Sequence, residues 1–103
     1  MVIEIARFHV APEQQKGFFE AFAEVKAYVE QAEGYQSHII SQEIEDPSRI
    51  SLLVQWRSYE DHVELFEPSA AHETFINALV PFFTGEVEVF HFNTEPASIG
   101  GAK

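Results

Sequence analysis

The sequence predicts an α+β domain: one antiparallel sheet of four strands, with helices packed on one face. Three observations carry that expectation. β-rich runs at residues 2–10, 35–45, 49–57 and 86–94 are interleaved with helical segments in the order β-α-β-β-α-β. The helical segments show apolar residues at spacings of three and four rather than in alternation. A length of 103 residues allows one core but not two. This is the ferredoxin-like arrangement, expected as one domain over residues 1–95 with a flexible small-residue tail at 96–103.

Each element has a local cause. Pro12 sits where the first helix begins, and Phe18, Phe22, Val25 and Val29 form its apolar stripe. Gly34 falls where a C-terminal cap belongs. Asp46-Pro47-Ser48 joins the second and third runs as a hairpin. The third run ends Leu52-Leu53-Val54-Gln55-Trp56 and passes at once into Arg57-Ser58-Tyr59-Glu60-Asp61-His62. Ser58 and Asp61 make a near relative of the capping box, so a short helix starts there. Pro68 breaks it. Ser69 caps a second helix whose stripe is His72, Phe75, Ile76, Leu79 and Phe83.

Hairpin pairing follows from the hydrophobic pattern. With Glu45 opposite Arg49, Ile44 faces Ile50, Gln42 faces Leu52, Ile40 faces Val54 and His38 faces Trp56. The other sheet face then holds Ile39 and Leu53, which need cover. The sheet of a second subunit supplies it, so a homodimer is expected.

Composition excludes several functions. A net charge of −11 repels phosphate backbones and anionic lipid, which argues against nucleic acid and membrane surfaces as partners. No apolar run approaches the ~20 residues of a membrane span. The start, Met1-Val2-Ile3-Glu4, lacks a basic secretory region, and zero cysteines fit a reducing compartment, so the expected location is cytoplasmic. There is no glycine-rich phosphate loop, nucleophile elbow or cysteine nucleophile. His9 and His91 lie on neighbouring strands but about 13 Å apart in register, at ~3.3 Å per residue, so no metal site is expected.

What remains is a pocket. Ten Phe in so short a chain suggest a thick core, a ring-lined cavity or an apolar oligomer surface. His38, Trp56 and Gln42 share the helix-covered face, where polar groups need partners or a wet cavity. His72 opens the last helix on its apolar stripe, in line with Phe75. His38 can equally sit at the sheet margin with Trp56 as plain core, and His72 can be a part-exposed helix-start residue. His62, amid Glu60, Asp61 and Glu64, reads as a surface residue.

The opening strand ending at Pro12, the Glu33-Gly34-Tyr35 turn, the Val54-Gln55-Trp56-Arg57-Ser58 junction and the Ser69-Ala70-Ala71-His72 helix start together resemble the antibiotic biosynthesis monooxygenase domain family, over about residues 2 to 92. That resemblance implies a dimeric α+β barrel with two sheets face to face. It also implies a cofactor-independent monooxygenase acting with dioxygen on a small quinol or phenol-like aromatic. Such chemistry needs a proton acceptor near neutrality, which histidine supplies. The pocket read from the hairpin register thus gives His38 and then His72 as the expected catalytic base, with Trp56, Gln42, Phe66 and Phe75 binding substrate. Trp56 and His72 match positions where the family commonly has Trp and His. Haem-degrading relatives carry a Trp on the short helix, where this chain reads Leu65-Phe66-Glu67, a departure that argues against haem degradation. The same scaffold also serves non-catalytic small-molecule binders and small-metabolite isomerases, and both readings stay open.

Overall fold

The computed structural model describes residues 1–95, so the predicted tail at 96–103 lies outside the described residues. The order is β1 (Val2–His9), α1 (Gln15–Glu30), β2 (Tyr35–Gln42), β3 (Arg49–Trp56), a π-helical turn (Asp61–Phe66), α2 (Ala70–Leu79) and β4 (Glu88–Asn93). The strands form one antiparallel sheet in the order β2-β3-β1-β4. The ferredoxin-like α+β class is the observed one. No helix among the described residues is long and apolar enough to cross a membrane.

Both helices cover one sheet face. Val2, Ala6 and Phe8 of β1 and Ile50, Leu52, Val54 and Trp56 of β3 point toward Phe18, Phe22 and Val29 of α1 and Phe75 and Leu79 of α2. Phe8, Phe18 and Phe83 make the aromatic centre, with Phe8 and Phe83 stacked at 5.2 Å between centroids. Period-two alternation in the strands and 3.6-residue spacing in the helices converge on this layer.

The hairpin register differs from the expected one by two residues. Ile40 pairs with Leu52 and His38 with Val54, so His38 does not face Trp56. A bulge between Tyr35 and Ser37 then brings Tyr35 opposite Trp56. The cause lies in the loop. Asp46 Oδ1 accepts from Ser48 N at 3.1 Å and Ser48 Oγ at 2.6 Å, and Arg49 N donates to Asp46 O at 2.9 Å, so β2 stops at Gln42 and Ile44 stays 89% exposed. A slip of two keeps each side chain on its face, which is why the facial assignment of His38 survives. The predicted ends of β2 at 45 and β4 at 86 shorten likewise.

Candidate functional site

The strand-to-helix junction after Trp56 builds the site. Ser58 Oγ accepts from Asp61 N at 3.1 Å and donates to Asp61 Oδ2 at 2.8 Å, the expected capping pair. Arg57 grips the same carboxylate with Nε at 2.9 Å and Nη2 at 2.7 Å, holding Asp61 below the usual carboxylate range. Asp61 is thus buried against Gly34 rather than solvated. The turn it anchors is π-helical, with Glu67 N donating to His62 O at 2.8 Å. That extra residue per turn swings His62 inward.

His62 is 2% exposed, which corrects its reading as a surface residue. Its ring stacks on Trp56 at 5.0 Å between centroids, 23° from parallel. Trp56 Nε1–H donates to Glu4 Oε1 at 2.9 Å, and His62 Nε2 stands 3.2 Å from the same oxygen. Glu4 comes from the middle of β1 and is 7% exposed. Sequence reasoning passed over it, although Ala6 and Phe8 on the same face mark it as inward-pointing.

These groups enclose a cavity of about 60 Å³ between sheet and helices. Trp56, Phe66, Phe75 and His72 line it, with Glu4, His62 and Glu67 as its other polar side chains. Phe66 meets His72 edge-on at 5.3 Å. Four of the predicted site residues therefore converge: Trp56, Phe66, Phe75 and His72. The other two lie elsewhere. His38 Nδ1 shares a 2.6 Å hydrogen bond with Tyr35 Oη and packs edge-on to Phe22. Gln42 is exposed and donates to Pro47 O and Gln15 Oε1, both at 2.8 Å, closing the hairpin.

Burial sets the electrostatics. It raises the Glu4 carboxyl to about 7, against a smaller lowering by the Trp56 hydrogen bond, and nearby Glu67 adds to the rise. It lowers His62 to about 4, helped by His91 and His72, and lowers His72 as well. The close approach of His62 to Glu4 is accordingly not an ion pair near neutrality. His62 is neutral there, and Glu4 is poised between its two forms. Among the described residues no group of three or more His, Cys, Asp or Glu side chains is arranged to hold a metal.

Residues 1–78 match the sequence profile of antibiotic biosynthesis monooxygenases. The chain belongs to that family. It is 32% identical over 92 residues to the uncharacterized protein YczJ of Bacillus subtilis, covering 89% of this chain and 97% of YczJ. A candidate antibiotic biosynthesis monooxygenase from Bordetella bronchiseptica shares the fold with a TM-score of 0.85 at 24% identity, over 91% of this chain and 96% of that one. A mutant of SnoaB, a cofactor-independent oxygenase from Streptomyces nogalater, does so with a TM-score of 0.74 at 18% identity, over 90% and 91%. Among the elements of this antibiotic biosynthesis monooxygenase domain, the match spans β1 through most of α2, which carry every cavity residue except those of β4 and the segment before it.

Proposed function

We propose that the protein is a cofactor-independent monooxygenase whose substrate is a small quinol or phenol-like aromatic bound in this cavity. The carrying observation is Glu4: a buried carboxyl, raised to about 7, held by an indole N–H among aromatic rings. A general base works best when its pKa lies near the operating pH, and Glu4 meets that condition. The base assignment thus moves from His38 to Glu4, with His72 retained from the sequence reading as a further titratable group on the cavity beside His62 and Glu67. The fold shared with SnoaB supports the reaction class, and zero cysteines support the cytoplasm as its setting.

In the keto tautomer of an activated phenol one ring carbon carries two hydrogens. Glu4 takes one as a proton, and the carbanion passes electrons to dioxygen, forming a C–O bond. Return of the proton gives a hydroperoxide. Loss of the second C–H proton with O–O cleavage leaves a carbonyl and water. Trp56 and Phe66 orient the ring, and the closed walls exclude water. The cavity has room for a water or two, so its walls must open for a substrate ring to enter.

Glu4 and His72 on one cavity also favour a second reading, an isomerase with one base and one acid. Oxygen uptake against a panel of quinols and anthrones, with metals chelated, separates the two. Stoichiometric uptake supports the oxygenase. Turnover that persists without oxygen supports the isomerase and overturns it.

A further inference from the structure

The buried acid of the cavity is linked to a different surface. His62 Nε2 is 3.2 Å from Glu4 Oε1, and His62 Nδ1 is 2.8 Å from His91 Nε2. His91 is half-buried and meets Tyr59 edge-on at 4.9 Å. Both line an open groove of about 510 Å³ with Met1, Arg57 and Asn93 at the strand ends. Among the described residues the groove and the cavity share no lining residue; the side chains of Glu4, His62 and His91 bridge them.

We infer that Glu4, His62 and His91 form a proton path between the cavity and the groove. An imidazole conducts because it accepts at one nitrogen and releases from the other. The path starts with Glu4 ionised, His62 protonated on Nε2 and His91 on Nε2. A proton arriving at His91 Nδ1 releases the Nε2 proton to His62 Nδ1. The Nε2–H bond of His62 then breaks as its proton passes to Glu4 Oε1. Both rings end neutral with their tautomers inverted, and the reverse sequence exports a proton.

The surroundings suit such a path. Trp56 from β3 fixes Glu4 Oε1, Glu67 lies 3.6 Å from His62 Nε2, and His72 of α2 shares the cavity. Tyr59 and Arg57 stand at the groove end. Burial disfavours a lasting imidazolium at His62, which favours passage through neutral rings. The inference rests on the reading of Glu4 as the base, for which it supplies exchange with solvent while substrate fills the cavity.

The test needs no turnover. Trp56 is the only tryptophan and donates to Glu4, so its fluorescence reports Glu4 ionisation. After a photoacid-triggered pH drop in the substrate-free protein, His91→Phe should slow this signal by about tenfold or more, leaving its amplitude unchanged. Imidazole in the buffer should restore the rate. If His91→Phe does not fold, His91→Gln carries the test, since an amide bonds but does not relay. An unchanged relaxation rate overturns the path. Slowed relaxation without oxygen uptake on any quinol leaves the path standing and removes the oxygenase. Uptake with unchanged relaxation does the opposite.

Discussion

Glu4 and His62 are titratable residues whose environments oppose their charged forms, and both effects are readable as stability. Glu4 is protonated in folded and unfolded chains below its ordinary 4.5, so it costs nothing there. As pH rises from 4.5 to about 7 the unfolded chain has lost a proton that the folded one keeps, so stability falls. Above that window the cost is roughly 3 kcal/mol, at about 1.4 kcal/mol per unit. His62 runs the other way. Its folded value is depressed from 6.5 to about 4, so its contribution is present above 6.5 and lost as pH falls. Glu4→Gln, which keeps an acceptor for Trp56 Nε1–H, should match the wild type near pH 4 and exceed it near pH 8 in urea unfolding. It should also show steeper acid destabilisation, because His62 is no longer offset. In the oxygenase assay the same variant should lose about 10²-fold or more in kcat. Trp56→Phe removes the hydrogen bond that holds Glu4 down, so the rising limb of the pH–rate profile should move to higher pH. Neither Glu4 nor His62 was read from the sequence as a site residue. A single Glu between Ile3 and Ile5 looks like an outward strand residue, and a His among acids looks solvated. The signals that correct this are Ala6 and Phe8 on the same face, and a π-helical turn that a 3.6-residue count does not anticipate.

At the scale of elements, the sequence was legible wherever a local signal had one structural answer. The pair of Ser58 and Asp61, the Ser69 cap that accepts from His72 N at 3.2 Å, and the α1 stripe all formed as written. The hairpin did not, because turn hydrogen bonds at Asp46 outweighed pairing Ile44 with Ile50. Gly34 was expected as a helix cap and serves a wider role. Its φ of 86° suits glycine, its carbonyl accepts from Arg57 N at 2.7 Å, and an added Cβ would collide with the Asp61 side chain. Gly34→Ala therefore strains the backbone and displaces the carboxylate that anchors the π-helical turn. A loss of about 2 kcal/mol is expected, roughly 10 °C in Tm by thermal denaturation. Gly17→Ala is the comparison. Its Cβ would approach Phe82 Cε1 at 2.6 Å, but α1 backbone geometry suits alanine and the obstacle is a ring, so the loss should be smaller.

At the scale of the whole molecule, one sheet face has no cover among the described residues. Ile39 is 65% exposed, Phe92 52% and Phe90 43%, with half-buried Ile3, Ile5 and Leu53 between them. The register puts them together: Ile3 pairs with Phe92, Ile5 with Phe90, and Ile39 with Leu53. Such a contiguous apolar face marks an interface, and a two-fold axis lets the same face cover itself. We expect a homodimer at micromolar concentration in sedimentation equilibrium. The double variant Ile39→Glu/Phe92→Glu should be a folded monomer. Neither side chain belongs to the protomer core, and two buried carboxylates per copy would have no partners across the axis. Charge gives an independent check. Each copy carries −11, so association works against repulsion that salt screens. Raising the ionic strength should tighten the wild-type dimer. A wild-type monomer at all salt concentrations would leave Ile39 and Phe92 without cover and reject the paired-sheet assembly.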